Sequence, residues 1–315
     1  MQLTKLYTPV EVFGQGGISA KIILDSVSAL SGDRLTTFEL IYHRNIHSEL
    51  MTHRLFSRNA ASSRAIPVEK MKEQCTAMPI YYGKNKSGMQ ATESLDATST
   101  FVSAALIELH RLNTMNLVQS LSNLGNHKQT VNRYSEPFQF MKTVVSATEF
   151  DNFFWLRNHE DADPLIHELA KVMQQCYDNS FPVTLNAGEW HLPYVDILSD
   201  RNHYIELDNN DYIKLSLDDA IKVSAARCAA VSFRNTDYGV EKSKEVYQRL
   251  VGDDRKHGSA LEHPAKVMSR CQDPFNTDGW DNGVSHVDKH GNLWSGNFQG
   301  FVQLRKTIPD ECYVK

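Results

Sequence analysis

The sequence predicts an α+β fold, a mixed sheet with packed helices, on three observations. Residues 21–28 and 35–42 read as neighbouring strands joined by the turn residues Ser31, Gly32 and Asp33. Longer stretches elsewhere carry apolar residues at helical spacing. The two kinds of segment do not alternate in the strand–helix rhythm of a doubly wound sheet.

In chain order, Gly14, Gln15, Gly16 and Gly17 read as a turn with no strand before it. Ile22, Ile23, Leu24 and Val27 mark the first strand, and Leu35, Phe38, Leu40 and Ile41 the second. Helical spacing begins near Ile46, with Leu50, Met51, Leu55 and Phe56 on one side, and Pro67 closes it. Residues 79–98 are rich in Gly, Asn, Ser and Thr and read as a long loop. Residues 101–124 and 165–177 read as helices. Residues 197–212 are polar and acidic, the pattern of an internal linker or excursion. A helix is expected from Ser216, with Asp218 and Asp219 favouring its positive end and Ile221, Val223 and Ala226 along it. Residues 271–296 read as another loop, and Phe298–Lys306 as a short helix ending before Pro309.

Thirty-three Lys and Arg against 38 Asp and Glu leave a formal charge of −5 over 315 residues, which argues against a broadly basic nucleic-acid binder. At 41% hydrophobic and 23% charged, the composition excludes wholesale disorder. No run approaches the ~18 apolar residues of a membrane helix, and the first residues lack the apolar core of a secretory signal. Cys75, Cys176, Cys228, Cys271 and Cys312 are odd in number, scattered and without a CxxC pair. They are expected to be reduced thiols in a cytoplasmic protein, not a disulfide framework or a zinc site. The expected organisation is one domain over 1–315 with inserted loops at about 79–98, 197–215 and 271–296.

No GxxxxGK[ST], GxGxxG after a strand, HExxH or GxSxG is present, so no ATPase, Rossmann dehydrogenase, zincin or serine hydrolase is evident. The densest polar run is Thr52 to Arg64. It holds Arg54, Arg58, Arg64, His53, Asn59, Ser57, Ser62 and Ser63, and no acid. Arginine forks beside hydroxyl donors suit phosphate; a basic surface run is the alternative. One helix face cannot carry His53, Ser57 and Arg64 together, so the run is expected to start helical and end in a loop.

Other candidates have ordinary readings. Arg157 beside Glu160 and Asp161 reads by itself as a surface ion pair, and Asn152 as a helix cap. Glu189 and His191 are too few for zinc, and Trp190 and His191 suit a core or a wall. His257 and His263 do not share a helix face. Phe153, Phe154 and Trp155 read as core, with one of them able to stack on a ring. No metal site is expected.

The run at 52–64 resembles the signature of flavin-dependent thymidylate synthases, a His-Arg pair followed by spaced Ser, Asn, Ser and Arg. Four further blocks are similar to that family: Lys128–Gln129 with Asn132–Pro137, Asn152–Arg157, Ala225–Phe233 and His257–His263. The last two precede the signature in the common bacterial form and follow it here. The order therefore looks circularly permuted, as in a longer, phage-type branch with a Gly-Glu-Trp-His-Leu-Pro-Tyr segment like Gly188–Tyr194.

The resemblance implies a fold of that family, FAD as cofactor, NADPH as reductant, and transfer of carbon from 5,10-methylenetetrahydrofolate to C5 of a pyrimidine deoxynucleotide, dUMP to dTMP. It implies FAD contacts at His53, Arg54, Ser57, Asn59, Asn152, Ser259 and Glu262, and nucleotide contacts at Ser62, Ser63, Arg64, Arg133 and Arg157. Arg157, Ser62 and His257 would sit at the chemistry, with Arg157 polarising the pyrimidine as a permanent cation and His257 orienting the flavin. Carrying the reaction on a flavin removes the need for a nucleophilic cysteine. The family's homotetramers imply an oligomer, with small molecules rather than nucleic acid or membrane as partners.

The sequence also departs from the pattern. Thr52 stands where the first Arg of Arg-His-Arg is usual, Glu49 for Gln, Ala60 for the acid after Asn59, and Ser63 and Ala65 for the Gly and Tyr around Arg64. Two alternatives therefore stay open: a flavin- and folate-dependent pyrimidine hydroxymethylase, and a degenerate relative that binds nucleotide without turnover. In outline, 261–270 followed by 297–306 resembles the strand and helix at 35–54, a second copy in which Gln303 and Arg305 replace the signature.

Overall fold

A computed structural model of the chain describes residues 4–206, 212–234, 236, 238–252 and 256–312. Its spine is the pair of long strands β2 (Ser19–Ser28) and β3 (Arg34–His43), with Gly32 at φ 77° in the turn between them. β1 (Val10–Phe13) and β6 (Val183–Leu185) share the outer edge of β2, one antiparallel and the other parallel to it. β4 (Ser57–Ala60) and β5 (Phe140–Ala147) complete the six-stranded sheet, in the order β1-β2-β3-β5-β4. The fold is thus α+β with a mixed, largely antiparallel sheet.

Helices take the order α1 (His47–Leu50), α2 (Val68–Glu73), α3 (Ala97–Asn123), α4 (Lys128–Val131), α5 (Asp151–Arg157), α6 (Pro164–Asp178), α7 (Leu217–Ala230), α8 (Val240–Val251) and α9 (Leu304–Thr307). Asp163 caps α6 through Leu165 N–H, with Pro164 at the first position. The helix then buries Ile166, Leu169, Met173 and Cys176 in the main core with Ile22, Phe38 and Phe150. Ser216 caps α7 as its sequence predicts, its hydroxyl accepting from Asp219 N–H at 3.1 Å. The two long helices read at 101–124 and 165–177 are α3 and α6.

Opposite α6 lies a small sheet of β7 (Trp190–His191), β11 (Ala265–Val267) and β15 (Phe301–Gln303), in the order β15-β11-β7. The seam between it and the main sheet is polar. His191 bonds Ser26 and Thr37, each at 2.8 Å, Thr37 bonds Ser146 at 2.6 Å, and Ser146 bonds Nδ1 of His263 at 2.9 Å. All five side chains are buried, and Nε2 of His263 has no partner among the described residues.

Several expectations are corrected. The helix near Ile46 is only a 3-10 turn (Arg44–Ile46) and the single turn of α1; Phe56 then leads into the unforeseen strand β4, after which the run ends in a loop as expected. Two features override the helical spacing. Ser57 and Asn59 pair with Ser146 and Val144 on the open edge of β5, and Arg58 binds the carbonyls of Met51 and His53, at 2.8 and 3.1 Å, in the turn after α1. The glycine turn at 14–17 does form, but β1 precedes it. Of the linker or excursion expected at 197–212, the described residues form an excursion with structure of its own: β8 (Asp196–Ile197), β9 (His203–Glu206) and β10 (Tyr212–Leu215) make a sheet that buries Ile205 and Leu215 against Val223 of α7. Residues 207–211 lie outside the described residues.

Residues 271–285 are irregular apart from a 3-10 turn (Thr277–Gly279), but β12 (His286–Val287) and β13 (Leu293–Ser295) then join β14 (Phe298–Gln299) in a third small sheet. Phe298–Lys306 is consequently mostly strand. Gly300 at φ 71° breaks β14 from β15, and helix begins only at Leu304. The proposed second copy therefore has its strand, β11, and little of its helix. Trp155 is corrected from core to surface at 75% exposed, while Phe153 and Phe154 are buried. Asn152 is exposed within α5 and does not cap it. Trp190 and His191 form a wall and a core as expected. All five cysteines are free. Among the described residues no group of three or more His, Cys, Asp or Glu side chains could hold a metal, and no helix is long and apolar enough to cross a membrane.

Candidate functional site

Two of the matched sequence blocks meet where α5 crosses the turn after α1. Phe153 anchors α5 in the core, and its ring meets those of His53 (4.8 Å, edge-on) and Phe56 (5.2 Å). That docking carries Arg157, in the last turn of α5, onto the imidazole: Arg157 Nε–H donates to His53 Nε2 at 3.1 Å. The imidazole proton must then sit on Nδ1. Burial first, then the charges of Arg157 and Arg58, push His53 down to about 4, so it stays neutral. Glu49, where the resemblance leads one to expect Gln, lies 3.6 Å from Arg157 and is raised from the usual carboxylate range by burial and by Asp163.

His53, Arg54, Thr52, Asn152 and Arg157 line a cleft of about 240 Å3 floored by Phe56 and Phe153. Arg157 and Glu49 also border a larger, acidic hollow of about 510 Å3, closed on one side by Tyr81, Met89 and Gln90 of the long loop. The loop at 79–98 is thus one wall of a cavity beside Arg157.

A second group forms along β4. Asn59 Nδ2 donates to the Cys228 carbonyl at 2.7 Å, and its Oδ1 accepts from Ser259 at 3.2 Å, joining blocks 200 residues apart. The buried Ser57 hydroxyl donates to Asn297 Oδ1 at 3.1 Å and accepts from Gln303 at 3.2 Å. Glu262 is bound by Arg305 at 2.5 Å, with the guanidinium pressed against Gly258, where a Cβ would sit 2.8 Å from it. Ser57, Asn59 and Glu262 are therefore engaged within the chain.

Ser62 and Ser63 lie on the loop after β4. Ser62 N–H bonds the Ser232 carbonyl at 3.0 Å, and the buried Asn132 amide clamps the carbonyls of Ser63 and Ile66 at 2.8 and 2.9 Å. Arg64, Arg133 and His257 are exposed. Neither of these arginines lines the cavities bordered by Arg157.

The fold thus joins His53, Arg54, Asn152 and Arg157 in one cleft; beside it Asn59 bonds Ser259, while Ser57 and Glu262 are held separately, by Asn297 with Gln303 and by Arg305. Sequence reasoning missed Arg58, read as one of three phosphate-type cations, which faces inward as a clamp on the His53 turn. It also missed the role of Asn297, which bonds the Leu55 carbonyl; no spacing rule marks a lone amide. Asn132 was noticed only as part of a matched block, and its part in holding the backbone at Ser63 and Ile66 appears only in the structure.

No protein-family model matches this sequence, and no curated protein does. Among solved structures, the UMP/dUMP methylase PolB from Streptomyces cacaoi, bound with 5-Br UMP, is similar at 13% identity and a TM-score of 0.43, over 53% of this chain and 91% of that one. Thymidylate synthase X from Helicobacter pylori, with FAD and dUMP, is similar at 18% identity and a TM-score of 0.32, over 45% of this chain and 67% of that one. At such scores neither likeness bears on what this chain does.

Proposed function

We propose that the chain is an FAD-dependent enzyme that transfers a one-carbon unit to C5 of a pyrimidine deoxynucleotide, dUMP to dTMP, and assembles as a homo-oligomer, a tetramer if it follows the family it resembles. The carrying observation is convergence: Arg157 on His53 and Ser259 on Asn59 bring together separated blocks of the resemblance.

The donors in the cleft suit a flavin dinucleotide. Arg54 offers an exposed guanidinium for a diphosphate, Asn152 an amide for a ring edge, and His53 a neutral imidazole with Nδ1–H. Ser57 and Asn59 support that site indirectly, by holding β4 and the turn before it. When bound, the flavin would supply the hydride, with NADPH as its reductant and 5,10-methylenetetrahydrofolate as carbon source. Arg157 keeps donors beyond the one used on His53 and would stabilise negative charge developing on the pyrimidine. Its hydrogen bond fixes the guanidinium plane before substrate arrives. Ser62, Ser63, Arg64 and Arg133 would hold the nucleotide, with Ser62 and His257 close to the reacting ring.

A visible absorption spectrum, taken after incubation with FAD and removal of free cofactor, tests this. A retained flavin band, bleached by NADPH in the presence of dUMP, is the expected result. Folded protein that binds dUMP but holds no flavin would instead favour a non-catalytic nucleotide binder, a reading that the internal pairing of Glu262 with Arg305 already motivates.

A further inference from the structure

Helix α3 is apolar on more sides than the chain covers. Inward it buries Thr114 and Val118 and rests Ile107 and Met115 on the small core of Ile66, Met71, Cys75 and Phe138. Outward, Phe101, Val102, Leu106, Leu109, Leu112 and Leu117 stand 46–75% exposed. Its only two formal charges, Glu108 and Arg111, pair with each other at 2.6 Å, and Arg111 turns in to the Cys75 carbonyl. None of the exposed residues of α3 is Asp, Glu, Lys or Arg. Although Asn113 and Asn116 stand among them, six large apolar side chains exposed along one face mark an interface.

We infer that this face pairs with the same face of a second copy of the chain, the two α3 helices running antiparallel across a two-fold axis at Leu109. The spacing itself favours self-pairing. An axis at Leu109 sets Leu106 opposite Leu112 and Phe101 opposite Leu117, apolar on apolar, with Val102 opposite Asn116 and Ala105 opposite Asn113 on either side. A strongly charged partner finds nothing complementary here. Phe101 to Leu117 spans about 24 Å of helix. Six large side chains over that length present apolar area of the order of the ~800 Å2 that each partner gives to a standard interface. The pairing rests on the helix face alone and stands or falls separately from the flavin reading.

The test is molar mass by light scattering at micromolar concentration. The wild type is expected at twice the monomer mass or a higher multiple. Leu109→Glu, which sets two like charges against each other at the axis, is expected to lower the mass by at least half while leaving the circular dichroism spectrum unchanged. Leu30→Glu, an exposed leucine on the β2–β3 turn, leaves the mass as it was. In a background with Cys271 and Cys312 changed to Ser, Leu109→Cys is expected to cross-link to itself on oxidation, whereas Leu117→Cys does so only with Phe101→Cys. A monomeric wild type would overturn the inference and point to a different protein as the cover for α3. So would a Leu109→Glu variant of wild-type mass, or a Leu117→Cys variant that cross-links to itself as readily as Leu109→Cys.

Discussion

Arg157 sets the state of His53: the guanidinium donates to a ring nitrogen that must therefore carry no proton, and its charge opposes protonation. The imidazole should show no titration above about pH 5 when followed by NMR. Arg157→Gln removes one of the opposing charges, so the His53 pKa should rise toward its ordinary 6.5 without reaching it, because burial is the larger cause. An unmoved titration in that variant would show that the pair does not exist in solution. For binding, Arg157→Ala is expected to weaken dUMP by roughly 10- to 100-fold, the range for a hydrogen bond to a charged group. Arg157→Lys should recover little of it, since a point charge does not replace a planar fork. Calorimetric titration of the three proteins with dUMP checks this.

At the level of elements, the turn from α1 into β4 is held from two directions. Arg58 binds its carbonyls from within, while Asn297 bonds the Leu55 carbonyl at 2.8 Å and Gln303 ties Asn297 to Ser57. Gln303 is nearly fully buried. Gln303→Leu should destabilise the fold by about 1–3 kcal/mol in urea, because buried oxygens lose a donor. It should also speed amide exchange over residues 53–57 before global unfolding. If that turn exchanges at the wild-type rate, the C-terminal segment does not hold the site. Ser216→Ala tests a separate element: loss of the α7 cap should cost about 1 kcal/mol.

Across the whole molecule, the buried seam between the two sheets makes stability depend on pH. Burial, and for His191 also the neighbouring His263, pushes both imidazoles down to about 3. The unfolded chain takes up these protons near pH 6.5 and the folded chain does not. Stability from this source is complete above about pH 6.5 and is lost as pH falls toward 3. Urea unfolding at pH 7, 5.5 and 4.5 should show a steady decline, and His263→Gln should flatten its slope whatever it does to absolute stability. A slope unchanged by that substitution would exclude the seam as its source.

Much of the framework was legible in the sequence. The β2–β3 hairpin, α3, α6 and α7 follow from periodicity, turn residues and caps, all decided between residues a few positions apart. The run at 52–64 stood out by residue type, but its strand was misread as helix. Its helical spacing lost to the open edge of β5 and to the carbonyl clamp of Arg58, neither of which a local pattern contains. The same limit hid the strand at 301–303, whose partner β11 lies more than 30 residues upstream. The sequence by itself determined which residues carry the candidate chemistry and where the main strands and helices run, because residue type and short-range spacing suffice for both. The tertiary structure alone decided that Arg157 reaches His53 across 104 residues, that Ser57 and Asn59 turn inward, and that one face of α3 stays uncovered. Those outcomes depend on how distant segments pack.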